Sequence, residues 1–325
     1  MGRFPFVTYI NRYVMEYEPY LAKTTLDEQA RKLRYIGRTL QQLKEDGRIE
    51  TVDPRKISEK EVGEYMKWMK QHGMEVNGQV KYLQAFNNLL RFCDNSTIDR
   101  MRKKRLLPKK KLNEIDSLTE QEIEHIINST SKIPGWRGVK AKFICAMYSY
   151  TGLRPQALRL AQLVDLDVKK WEFWVRNPKG KNRYGVQRTV PIPPPIRLFV
   201  HDFLHERKEY LTQKGFHECE PLIPKITEGK VGYYSSNNFR QLKKEISECS
   251  GIDFSLKTFR ASYAQMLKDR VASIESISKL MGHHTTKTTE TYYARIKDSS
   301  VFNEINSIWS EPTDAKKCEI EFLAR

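Results

Sequence analysis

AKFICAMYSYTGLRPQALRL, residues 141–160, decides how this chain is built. From Ala141 to Leu153 the stretch is apolar on nearly every side, so it leaves no solvent face and reads as a helix buried inside a domain. Gly152 ends that helix, because glycine accepts the left-handed conformation a helix terminus often needs. Pro155 then suits the first position of the next helix, where its missing N–H has no partner to lose. Between stop and restart stands Arg154. A cation held there projects from a fixed scaffold.

Upstream, Thr119 with Glu122 three residues later forms a capping-box pattern ahead of Ile123, Ile126 and Ile127, so a helix starts sharply at that point. Downstream, residues 171–176 (WEFWVR) and 187–192 (QRTVPI) are aromatic and β-branched, and the polar stretch between them contains Lys179, Lys181 and Arg183. That pattern predicts a β-hairpin with a basic tip. Helices follow at 196–210, 237–250, 256–269 and 273–281. Toward the N-terminus, Leu33, Ile36, Leu40 and Leu43 recur at helical spacing, as do Val62, Tyr65, Met66 and Met69. Gly47, Pro54, Gly73 and Gly78 divide this region into about four helices. The segment 81–92 buries Leu83, Phe86, Leu89 and Leu90, and keeps Lys81 and Arg91 outside. The expected fold is mainly α with a small β-hairpin or sheet, an α+β chain. Its 325 residues suit two domains.

Charge adds a statement about partners. The chain carries 57 Lys and Arg against 40 Asp and Glu, a net charge of +17, which favours an anionic partner. Residues 101–111, MRKKRLLPKKK, hold Arg102, Lys103, Lys104, Arg105, Lys109, Lys110 and Lys111 and no acid. We read 1–101 as a helical DNA-binding domain, 102–116 as a basic linker laid across phosphates, 117–310 as a second domain and 311–325 as a tail. Neutralising phosphates would make binding strongly salt-dependent. The five cysteines are widely spaced without a C-x-x-C pair, which argues against a disulfide framework or a zinc ribbon. His201 and His205, followed by His217 and Cys219, read as a solvated face and not as a metal site. No apolar run approaches the ~20 residues of a membrane span, and no signal peptide opens the chain, so the expectation is a cytoplasmic protein.

Two further stretches carry candidate chemistry. In SLKTFRASYAQML, residues 255–267, Ser255 is a good N-cap and Lys257 and Arg260 lie three apart near the helix start, opposite a stripe of Phe259, Tyr263 and Met266. In KLMGHHTTKTTETYYARI, residues 279–296, His283 and Tyr292 are nine apart. On one straight helix they would be separated by ~13.5 Å of rise and face opposite ways. Gly282 and the five threonines between 285 and 291 predict a break that can bring them together.

The order of TGLRPQALRL, a basic hairpin, K-x-x-R, M-G-H-H and a tyrosine nine residues after the first histidine resembles the tyrosine recombinases: phage and plasmid integrases and Xer-type recombinases. The ending TTETYYARI also looks like archaeal plasmid and virus integrases. The resemblance implies a helical core-binding domain followed by a tyrosine-recombinase catalytic domain. It makes Arg154 and Arg260 the two catalytic arginines, Lys179 the hairpin lysine with Lys181 as competitor, His283 the family's histidine, and Tyr292 the nucleophile with Tyr293 as the other register. Where the family usually has a histidine three residues before the second arginine, this chain has Lys257. That keeps a cation and a donor but loses a group that takes up a proton near neutral pH.

These residue types suit phosphodiester exchange. A phenol among cations becomes more acidic, and its phosphate ester retains the bond energy needed for religation. Forked guanidiniums match the scissile phosphate better than a lysine does, and a mobile lysine can protonate the leaving 5′ oxygen. The sequence has no G-x-x-x-x-G-K-[ST] loop, so the reading includes no nucleotide and no metal or other cofactor. The implied partners are specific sites on double-stranded DNA and further copies of the chain, four on two duplexes. Competing readings are a non-catalytic DNA-binding protein of the same fold and a type IB topoisomerase.

Overall fold

The computed structural model describes residues 5–111, 116–178, 185–270, 272–283 and 285–292, the last two positions by their backbone. The chain divides into two compact units, Met1–Asn113 and Glu114–Arg325. Among the described residues no helix is long and apolar enough to cross a membrane.

The first unit has five described helices: α1 (Pro5–Tyr17), α2 (Lys23–Glu45), α3 (Glu59–Gln71), α4 (Val76–Phe92) and α5 (Thr97–Lys103). The spaced apolar residues of α2 and α4 make its core, with Leu33, Ile36, Leu40, Phe86, Leu89 and Leu90 fully buried. A capping box at Ser58 and Glu61 starts α3. Gly78, expected as a break, lies inside α4. One turn into a helix its cost is about 1 kcal/mol, and the neighbouring Gln79 amide donates to the Met74 carbonyl at 2.7 Å and fixes the entry.

The segment expected as a linker from residue 102 is tied to this unit as far as residue 111. Met101 is buried and Leu107 packs against the same core. The Asn77 side chain donates to the Lys111 carbonyl at 3.0 Å and accepts from its N–H at 2.9 Å. Seven cations concealed two apolar anchors and a polar clasp.

The second unit begins with α6 (Glu120–Ser129), α7 (Gly135–Thr151) and α8 (Pro155–Arg159). Thr119 and Glu122 cap α6 reciprocally, and Pro155 opens α8. Helix α7 is the central element, packed against α6, α9 (Arg197–Gln213) and α11 (Leu256–Asp269). Phe143 of α7 stacks on Phe203 of α9 with centroids 3.8 Å apart. Strands β1 (Leu166–Asp167), β2 (Glu172–Val175) and β3 (Arg188–Pro191) form an antiparallel sheet in that order. Phe173 pairs with Val190 on its buried face.

A second hairpin, β4 (Lys225–Thr227) and β5 (Lys230–Gly232), was not expected from sequence. Glu228 and Gly229 both have positive φ, 50° and 71°, which is the two-residue turn that strand twist favours, written with Glu-Gly instead of the usual Asn-Gly. The remaining helices are α10 (Ser236–Ser250), α12 (Ile274–Met281) and α13 (Thr286–Tyr292). The hairpin tip at 179–184, the segment 298–309 and the tail 311–325 lie outside the described residues.

Candidate active site

Three elements that are remote in sequence meet at the end of α12. The first is the junction of α7 and α8. Gly152 has φ +59°, and a Cβ there would lie 2.3 Å from the Tyr263 ring, so both the conformation and the close approach require glycine. Arg154, two residues on, is half-buried and donates to the Gly282 carbonyl at 3.3 and 3.4 Å and to the Met281 carbonyl at 3.5 Å. These are long contacts.

The second element is α11, started by a capping box between Ser255 and Thr258. It presents Arg260 inward, only 3% exposed. Its guanidinium donates to the carbonyls of Gly152 and Met281, and its Nη2 lies 2.9 Å from His283 Nε2. Lys257, one turn earlier, is exposed. The two cations expected to converge are thus separated by burial: Arg260 belongs with Phe259 and Tyr263 on the core side, and Lys257 faces out.

The third element is β3, and it supplies a residue that the sequence reading missed. Arg188 donates from Nε to the Leu280 carbonyl at 2.7 Å. Its guanidinium lies so close to Gly282, itself at φ +62°, that a Cβ there would be 2.4 Å from Nη1. A signal was available. Arg188 is two residues before the buried Val190, so strand alternation turns it to the core side, where a cation must find partners.

Leu280, Met281 and Gly282 close α12, and their carbonyls have no partner within the helix. Three guanidiniums supply one from outside, at the negative end of the helix dipole. His283 follows immediately, with Nδ1 2.7 Å from Oγ1 of the fully buried Thr289 in α13. Burial first, then the charges of Arg260, Arg154 and Arg188, push its pKa down to about 3, so the ring is neutral at pH 7. Burial and the Arg154 charge likewise lower Arg188 to about 10.

Tyr292 is the last described residue of α13, one turn after Thr289. Lys179, Lys181, Arg183 and Tyr293 lie outside the described residues. In the basic run all seven cations are exposed. Arg102 pairs with Asp99 at 3.1 Å and Lys104 with Glu59 at 2.8 Å. The metal candidates do not assemble: His205 pairs with Glu209 at 3.2 Å, His201 packs edge-on to Trp171, and no metal-binding group occurs among the described residues.

Residues 116–299, more than half of the chain, match the phage integrase family. The chain belongs to that family. It is 28% identical to the tyrosine recombinase XerA of Pyrococcus furiosus over 180 residues, 54% of this chain and 56% of that protein. The chain thus spans little more than half the length of this curated relative. The fold is shared with XerH site-specific recombinase bound to difH in a post-cleavage complex, at TM-score 0.67 and 16% identity over 95% of this chain and 98% of that one. It is also shared with a lambda integrase tetramer bound to a Holliday junction, at TM-score 0.64 and 17% identity over 90% and 78%. The family match covers every element that builds the arginine cluster.

Proposed function

We propose that this chain is a site-specific DNA recombinase that cuts and rejoins DNA through a 3′-phosphotyrosine on Tyr292. The observation that carries the reading is the meeting of Arg154, Arg188 and Arg260 around a neutral His283, on the turn that leads into the helix carrying Tyr292. Guanidiniums gathered on backbone carbonyls at one helix end offer forked donors that a scissile phosphate can meet.

In the proposed step the Tyr292 oxygen attacks phosphorus as its proton passes to water, and the bond from phosphorus to the 5′ oxygen breaks. Arg154 and Arg260 take the non-bridging oxygens through forked donors. The hairpin lysine, Lys179 or Lys181, gives the leaving oxygen its proton. Attack by a 5′ hydroxyl from the partner duplex reverses the chemistry, so the phosphodiester energy is kept in the ester. Four copies on two duplexes, acting in the cytoplasm on the nucleoid, complete the reading. Lys103, Arg105, Lys109, Lys110 and Lys111 would follow the DNA backbone without reading its sequence.

The test incubates the protein with a pool of nicked suicide duplexes of random sequence and looks for a covalent adduct on a denaturing gel. Wild type is expected to form it and Tyr292→Phe to form none; sequencing the trapped DNA then gives the target. A wild type that binds DNA without an adduct leaves a binding protein. Relaxation of supercoils without recombinants makes it a topoisomerase.

A further inference from the structure

The bond between His283 and Thr289 has a direction that the neighbouring arginine determines. A guanidinium has only donors, so Arg260 Nη2, 2.9 Å from His283 Nε2, requires a lone pair on that nitrogen. A neutral imidazole with Nε2 unprotonated carries its single hydrogen on Nδ1. The 2.7 Å contact to Thr289 is therefore Nδ1–H donating to Oγ1. A doubly protonated ring would set two donors against each other at Arg260.

The surroundings agree. His283 faces Arg260 from α11, Arg154 from the α7–α8 junction, Arg188 from β3 and Thr289 from α13. Thr289 offers His283 Nδ1 an acceptor at 2.7 Å, and it is fully buried. It lies in α13, one turn before Tyr292.

We propose that Thr289 is a positioning residue, whose hydroxyl fixes the Nδ1–H tautomer of His283 and ties the helix carrying Tyr292 to the arginine cluster. The catalytic half of this statement rests on the function proposed above; the tautomer half does not. Removing the hydroxyl takes away the Thr289 acceptor of Nδ1–H and loosens the tie between α13 and the cluster. Misplacing a reacting group by about 1 Å costs on the order of 10²-fold in rate.

The experiment compares wild type, Thr289→Val and Thr289→Ser. Nitrogen-15 spectra of the histidine-labelled full chain without DNA, with His283 assigned by loss of its signals in His283→Asn, report which ring nitrogen carries the proton. Wild type and the serine variant are expected to be protonated at Nδ1, and the valine variant to lose that single-tautomer signature. On the random pool of nicked duplexes at saturating concentration, Thr289→Val is expected to form adduct on the order of 10²-fold more slowly. Its DNA affinity is expected to stay near wild type, and Thr289→Ser is expected to restore the rate. A wild-type proton at Nε2 overturns the proposal, as does a valine variant of wild-type rate or a serine variant as slow as valine. If Thr289→Val does not fold, the wild-type tautomer and the serine rate still decide. Absence of adduct from wild type with the Nδ1–H signature present defeats the proposed function and leaves the tautomer assignment standing.

Discussion

Arg102 and Lys104 lean on the carboxylates of Asp99 and Glu59, whereas the described partners of Arg154, Arg188 and Arg260 are peptide carbonyls and one imidazole. The difference is one of net charge. A carboxylate offsets a cation, although Asp99 is shared with Arg91 at 2.6 Å, and in water such exposed pairs contribute about 0–1 kcal/mol. A carbonyl satisfies the donor and leaves the charge uncancelled, in a place where burial makes electrostatic interactions stronger. The first arrangement holds a surface together and can be exchanged for a DNA phosphate at little cost. The second holds guanidiniums on backbone atoms that the fold cannot easily rearrange.

The contrast breaks most directly at Arg260. Arg260→Lys keeps the charge and loses the fork that reaches Gly152, Met281 and His283 together. We expect adduct formation at saturating DNA to fall by on the order of 10³-fold. A lysine variant near wild-type rate would mean that charge alone suffices. Arg188→Leu comes next. It unpins the Leu280 carbonyl and removes one of the three cations that hold down the His283 pKa. We expect the adduct rate to fall about 10-fold or more and the imidazole to titrate higher than in wild type, both read on the purified chain.

The exposed run should respond differently. Replacing Lys109, Lys110 and Lys111 together by Gln is expected to weaken DNA binding and reduce the salt slope by about 0.9 for each phosphate no longer neutralised. Adduct formation should recover as DNA is raised. A deficit that persists at saturation would place these lysines in the chemistry.

A different readout is stability against pH. The folded pKa of His283, about 3, lies below its ordinary 6.5, so the unfolded chain binds a proton that the folded chain refuses. The contribution is full above pH 6.5 and is lost as pH falls toward 3. Urea midpoints should show a decline over that window which is shallower in His283→Asn; equal slopes would mean that the ring is not held neutral.

Much of this molecule is legible because its signals are local. Thr119 and Glu122, Ser255 with its helix, Pro155 after Arg154, and the apolar spacing of Leu33 to Leu43 each act within a turn or two, and each appears where the sequence predicts it. The β4–β5 hairpin escaped because its turn uses Glu-Gly, and the hold of the first unit on Leu107 and Lys111 was hidden by surrounding charge. Motif order pointed to Arg154, Arg260 and His283, but it did not reveal that Arg260 is buried while Lys257 is exposed.

Capping, periodicity and turn chemistry depend on neighbours along the chain, so most of the helices, the β2–β3 hairpin and the short motifs can be read without any tertiary contact. That Arg188 joins the cluster, and that Thr289 Oγ1 sits 2.7 Å from His283 Nδ1, came from tertiary packing alone. Those roles follow from which carbonyls and donors meet at the end of α12, and that meeting is produced by packing between α7, α11, β3 and α13 instead of by any spacing in the sequence.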